Sequence, residues 1–183
     1  MTLLQEQIAS ISDVTADQRA QRLAQAGGAW NERIAADSGT AQLTYTVSGR
    51  GVGSVATEIR AGKHRFIVDE PGALAGDDVA PSPVEYALAA LISCQVVVYR
   101  LYAQALELTI DEIEITAEGD LDVRKLFGID ESGRAGFHDV RLRVDISGPD
   151  SADQYEKLRQ AVDAHCPVLD LFANPVPVSV ALS

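Results

Sequence analysis

A chain of 183 residues can bury one substantial core, and its 46% apolar and 23% charged content is that of an ordinary globular protein. The net charge of −12, from 27 acids against 15 bases, leaves no basic surplus to meet phosphates. That argues against nucleic acid and anionic membranes as partners. The N-terminus, MTLLQEQIAS, lacks the basic start of a secretory signal, and the chain has two cysteines. The expected compartment is therefore a reducing cytoplasm, where a cysteine pair is reactive or buried and not a permanent staple.

Residues 1–40 read as a helical extension to a domain spanning 41–183. Leu4, Ile8 and Ile11 share one helical face. The capping box Thr15-Ala16-Asp17-Gln18 opens an Ala/Gln/Arg-rich segment expected to stop at Gly27-Gly28. So thin an apolar stripe has to pack on something else.

From Ala41 the apolar period changes to two. Leu43, Tyr45 and Val47 alternate with polar residues, GRGVG supplies a turn, and SVATEIR alternates again. After Ala61-Gly62-Lys63, HRFIVD makes a third strand, giving an antiparallel meander. A Gly/Asp/Pro-rich loop then leads to the central segment, Ala80 to Leu108.

That segment opens as a helix. Ser82 caps the first turn, Pro83 takes the first helical position, and Glu85 completes a capping box. From Tyr86 to Tyr99 no residue is charged, so every helical face carries apolar side chains. A helix apolar all round is a membrane span or the buried centre of a globular domain. Ser93, Cys94 and Gln95 interrupt the run and Arg100 ends it, short of a span. The expectation is a buried helix with one thiol in its middle.

DEIEITAEG and FHDVRLRVDISG follow as two strands, with Ile113, Ile115 and Ala117 on one and Val140, Leu142, Val144 and Ile146 on the other facing inward. Between them DLDVRKLFGIDESGRAG is a long solvated connection without calcium-loop spacing. Ser151 opens a second capped helix whose stripe runs Tyr155, Leu158, Val162 and then His165 or Cys166. Pro167 disfavours helix at Cys166, which ends it. VPVSVAL closes the chain as a last strand, and the order β-β-β-α-β-β-α-β defines an α+β fold.

PSPVEYALAALISC, with its capped helix start and cysteine, resembles the OsmC/Ohr family of osmotically inducible and organic hydroperoxide resistance proteins. VDAHCPVLDLF resembles that family's second-cysteine motif, and HRFIVDEPGALAGDD the strand and loop before its first helix. The resemblance covers roughly residues 41–183. It implies an OsmC-like fold, with antiparallel sheets around a central buried cysteine-bearing helix in an intertwined homodimer. It also implies a thiol peroxidase in which Cys94 attacks an organic hydroperoxide, becomes a sulfenic acid and is resolved by Cys166. No cofactor is implied beyond an external dithiol reductant of lipoyl type.

Each residue also has a plainer reading. A lone cysteine on an apolar helix is ordinarily a small buried hydrophobe, and such surroundings raise its pKa. Peroxide chemistry needs the thiolate, so a cation must come from elsewhere. A helix C-terminus also disfavours a thiolate at Cys166, which suits a thiol that attacks second. His165 reads as a packing or capping residue, and no Cys-x-x-Cys spacing supports zinc.

In the family's peroxidases an arginine activates the cysteine and is held by a glutamate directly after the helix-opening proline. Here that position is Val84, and the acid is Glu85. At about 100° per residue, Glu85 and Cys94 fall on opposite faces of a straight helix, so Glu85 reads better as the capping acid than as a catalytic one. Arg50, in a turn resembling the family's first hairpin turn, leads as the activating arginine; Arg60 and Arg65 are alternatives, and all three fit equally as surface residues. The functional expectation is a cytoplasmic stress-response peroxidase with no nucleic-acid or membrane partner. The alternative is a non-catalytic OsmC-like dimer that binds a small hydrophobic ligand.

Overall fold

The structure, a computed structural model, describes residues 3–182, with side chains from residue 5 onward. The side chain of Leu4, expected on the apolar face of the extension, lies outside the described residues. The extension forms α1 (Leu3–Ala9) and α2 (Ala16–Ala36), and the capping box at Thr15 is formed as expected. Helix α2 does not stop at Gly27-Gly28. Two glycines cost about 1 kcal/mol each, but good helix formers follow, and Arg33 lies over the Trp30 ring at 4.6 Å. The end comes at Asp37, whose N–H donates to the Arg33 carbonyl. No residue of α2 is fully buried.

Strands β1 (Val47–Val52), β2 (Ala56–Ala61) and β3 (His64–Val68) form the expected antiparallel meander, but the first strand is displaced. Residues 42–46 carry no regular structure, and Leu43 and Tyr45 are exposed. The stretch expected to turn, GRGVG, is mostly strand, so Arg50 sits within β1 directly opposite Glu58. The turn comes at Gly53, whose φ of 58° suits glycine best. Gly49 belongs in the strand because Ile59 and Thr57 leave little room for a Cβ there.

The loop after β3 is gathered by Asp69, which is buried and accepts from the N–H groups of Asp77 at 3.1 Å and Val79 at 3.2 Å. These and other backbone donors, Glu70 foremost, hold its carboxyl below the usual range. Helix α3 (Pro83–Ala105) follows with the Ser82–Glu85 capping box in place. It passes the length and hydropathy test for a membrane span. Within the protomer, however, one face packs against β4 (Glu112–Asp120) and α4 (Ala152–His165).

Strands β4 and β5 (Asp139–Ser147) pair antiparallel as expected, with Ile113 opposite Ile146, Ile115 opposite Val144 and Ala117 opposite Leu142. Tyr99, Val98, Ala103, Ile110, Ile115, Leu158, Val162 and Cys166 make the core between α3, β4 and α4. Complete burial of a leucine or valine, as at Leu158 and Val162, stabilises by about 1.5–3 kcal/mol each.

Helix α3 is not covered all round in the protomer. Leu91, Gln95, Val98, Tyr99 and Ala103 are buried, while Ala90, Ser93, Val97 and Leu101 form an open stripe at helical spacing. Two further differences lie at the C-terminus. Pro167 starts a new helix, α5 (Pro167–Ala173), where none was expected. The last strand does not form: residues 174–182 join neither sheet, and Val178, Val180 and Leu182 stand exposed. A strand requires an edge to pair with, and the protomer supplies none to this segment.

Candidate active site

Cys94 lies in the middle of α3, and Cys166 at the junction of α4 and α5. Between His165 and Cys166, only Cys166 continues the buried stripe of α4; it is 2% exposed. Pro167 holds Cys166 out of the helix (φ −81°, ψ 110°) and then opens α5 as its first residue. This break faces the Cys166 thiol toward α3. Both thiols are free; Cys94 packs against the core cluster that holds Cys166, whose thiol acts on it.

A second group reaches Cys94 from the same junction. The N–H of Val168, in the first turn of α5, acts on the Cys94 thiol and lowers its pKa. The thiol pKa is nonetheless raised, chiefly by burial and further by Cys166, with the Val168 N–H opposing both. No guanidinium is among the groups that act on it.

The candidate arginines lie elsewhere in the protomer. Arg50, Arg60 and Arg65 share one face of the β1–β3 sheet with Glu58 between them. Glu58 bonds Arg50 at 2.9 Å and Arg65 at 3.2 Å, and Arg50 foremost holds its carboxyl below the usual range. Arg60 donates to the Gly62 carbonyl at 3.4 Å. The Arg50 and Arg65 side chains are 74% and 68% exposed, a cationic face open to solvent or to another chain.

Glu85 sits at the start of α3, where one oxygen accepts from the Ser82 N–H at 2.7 Å and the Ser82 hydroxyl at 2.6 Å. Both interactions, the hydroxyl first, lower its pKa, as a capping carboxylate requires. Val84, at the position where the resemblance implies a glutamate, is 39% exposed. His165 Nδ1 lies 2.7 Å from the Ala161 carbonyl, and its ring packs on Tyr102 at 4.6 Å. Among the described residues no group of three His, Cys, Asp or Glu side chains converges as a metal site would require.

Sequence reasoning missed α5 and the Val168 N–H. The signal was present: proline at the first helical position with Asp170 in the first turn is a helix start. It also missed a cleft next to the thiol-bearing helices, which neither thiol lines. Leu91, one turn before Cys94, and Leu169, next to Val168, form one end of it. Phe137, Leu142 and Phe172 add apolar surface and Arg134, His138 and Asp139 polar groups to a cavity of about 470 Å³.

The profile of the OsmC-like protein family matches residues 76–181, so the chain belongs to the OsmC-like family. That match takes in both cysteines. In backbone fold the chain is similar to an OsmC-like protein of Mycoplasma pneumoniae, with a TM-score of 0.64 at 17% identity, covering 72% of this chain and 89% of that one. It is also similar to an organic hydroperoxide resistance protein OsmC of Legionella pneumophila, with a TM-score of 0.56 at 20% identity over 71% and 89% of the two chains. The organic hydroperoxide resistance protein OhrB of Bacillus subtilis gives a TM-score of 0.51 at 22% identity, over 70% and 90%. No curated protein matches the sequence.

Proposed function

We propose that the protein is a thiol peroxidase that reduces organic hydroperoxides, working as a homodimer in a reducing cytoplasm. The observation that carries this reading is that Cys94 packs against the core cluster holding Cys166, close enough for the second thiol to act on the first, although they come from different helices. A packing cysteine needs no second thiol beside it; a peroxidatic cysteine with a resolving partner does.

The Cys94 thiolate attacks the terminal oxygen of ROOH, and the O–O bond breaks. Cys94 becomes a sulfenic acid, and RO⁻ takes a proton to leave as the alcohol. The Cys166 thiolate then attacks the Cys94 sulfur, hydroxide leaves as water after protonation, and the disulfide forms. An external dithiol of lipoyl type reduces it by two thiol–disulfide exchanges. The Leu91–Leu169–Phe172 cleft receives the alkyl part, which favours a greasy peroxide over hydrogen peroxide.

Burial raises the Cys94 pKa, and no cationic group of the same chain is among those that lower it. The homodimer reading supplies one. The open stripe Ala90, Val97 and Leu101 on α3 and the exposed tail of Val176, Val178 and Val180 are apolar surfaces that a second copy would cover. A partner's β1–β3 sheet placed there brings Arg50, held by Glu58, to the thiol. Glu58 then does what the family's glutamate after the proline does, in a chain that has Val84 at that position.

One observation favours a second reading, a non-catalytic dimer that binds a small hydrophobic ligand in the same cleft. The raised Cys94 pKa with no cation beside it suits an inert thiol. Titration with one equivalent of cumene hydroperoxide decides between the two. The peroxidase forms an intrachain Cys94–Cys166 disulfide that a dithiol reverses. Two free thiols after excess peroxide sink the peroxidase reading and leave the ligand-binding one.

A further inference from the structure

Helix α2 lies outside the residues that match the family profile, and it closes a second cleft against α3, away from the thiols. Arg19 of α2 and Arg100 of α3 line that cleft together with Leu23, Ala103 and Ile110. The cavity measures about 80 Å³. One water requires about 10–15 Å³ on this measure, so the space holds several waters or one small oxyanion.

The two arginines are unlike the others in the chain. Each has its Nε buried and without a hydrogen-bond partner among the described residues. Neither makes an ion pair with a carboxylate there. Asp17 lines the same cleft but bridges to neither of them. The other arginines without a carboxylate partner, Arg22, Arg33, Arg60 and Arg134, are exposed, where water serves the guanidinium. Arg19 is held in place, its Nη1 donating to the Ile110 carbonyl at 3.2 Å. Burial first, and the Arg19 charge second, push the Arg100 pKa down.

A protein with 27 acids has ample means to neutralise two half-buried guanidiniums, yet here it brings two together and leaves them without one. Like charges out of bulk water repel and lose hydration, and an anion between them turns both costs into attraction. We propose that Arg19 and Arg100 form a binding site for a small oxyanion, phosphate or a carboxylate, between the N-terminal extension and the thiol-bearing helix. The planar fork of each guanidinium suits either anion. Since Arg19 also grips Ile110 just before β4, the bound anion ties α2, α3 and the second sheet together.

The test is thermal unfolding of the full chain in sodium phosphate and in sodium acetate, against sodium chloride at matched ionic strength. A saturable rise in Tm above the chloride control is expected with at least one of them. Arg19→Gln and Arg100→Gln should each weaken that response at least tenfold, about what loss of a charge-assisted bond costs. Arg22→Gln, one turn along the exposed side of α2, should leave it intact. If Arg100→Gln does not fold, Arg19→Gln carries the comparison, because its helix is exposed and contributes no buried residue. Phosphate-only or acetate-only stabilisation assigns the ligand class. No response beyond chloride, or a response that both arginine variants retain, overturns the proposal. The readout is binding and not thiol chemistry, so it stands or falls apart from the peroxidase reading.

Discussion

The thiol of Cys166, freed from α4 by Pro167, meets the thiol of Cys94 in the middle of α3. The Val168 N–H, two residues after Cys166, acts on the same thiol and lowers its pKa. One helix break therefore delivers both the partner thiol and a hydrogen-bond donor to Cys94. The first consequence concerns what each cysteine does alone. Cys94→Ser should abolish consumption of cumene hydroperoxide. Cys166→Ser should consume one equivalent and stop, with the sulfenic acid trapped by dimedone and seen as a mass increase.

The cation is tested by the pH dependence of Cys94 alkylation. If a partner's Arg50 meets Cys94, the wild-type dimer should show a thiol pKa well below that of Arg50→Ala. In Arg50→Ala burial acts unopposed by a guanidinium, and the pKa rises above the free-cysteine value. Glu58→Gln should fall between the two, because Arg50 keeps its charge but loses its anchor. Equal profiles in all three proteins would remove Arg50 from the mechanism and direct the test to Arg60 and Arg65.

The proposed assembly is tested at the open face of α3. Sedimentation at micromolar concentration should give a dimer. Val97→Glu places a charge on the open stripe, 56% exposed in the protomer, and touches none of its core. It should shift the equilibrium toward monomer and depress peroxidase turnover in parallel. A Val97→Glu protein that remains dimeric and fully active would place the interface elsewhere.

Two glycines make opposite predictions. A Cβ at Gly28 meets nothing within 4 Å, so Gly28→Ala should stabilise α2 by about 1 kcal/mol through helix propensity. A Cβ at Gly76 would overlap the Glu70 backbone carbonyl, in the loop that Asp69 gathers. Gly76→Ala should destabilise by about 2 kcal/mol or more, because backbone has to move. Urea unfolding followed by circular dichroism measures both.

Alkaline stability should report on Tyr99. Burial pushes its phenol up to about 12. A folded pKa above the unfolded value contributes stability that is present below about pH 10 and lost as pH rises toward 12. Tyr99→Phe should flatten that part of the stability profile. Tyrosinate absorbance should show one tyrosine of the wild type ionising only as the protein unfolds.

The elements legible in the sequence are those whose signals are local. The capping boxes at Thr15, Ser82 and Ser151 form as read, because a cap needs only neighbours three residues apart. The inward sets on β4 and β5 were equally plain, since alternation places every second side chain on one face. The two cysteine motifs carried the family for the same reason. Tertiary contact decided the rest. Gly27-Gly28 reads as a stop, yet α2 runs through it to Ala36 and packs against α3. GRGVG reads as a turn, but pairing with β2 draws it into strand and leaves the turn to Gly53. VPVSVAL alternates like a strand and pairs with nothing in the protomer, because a strand is made by the edge beside it. The meeting of Cys94 with Cys166, and of Arg19 with Arg100, depends on how α3 packs against α4 and α2. No spacing along the chain records those contacts; only the packed helices bring the side chains together.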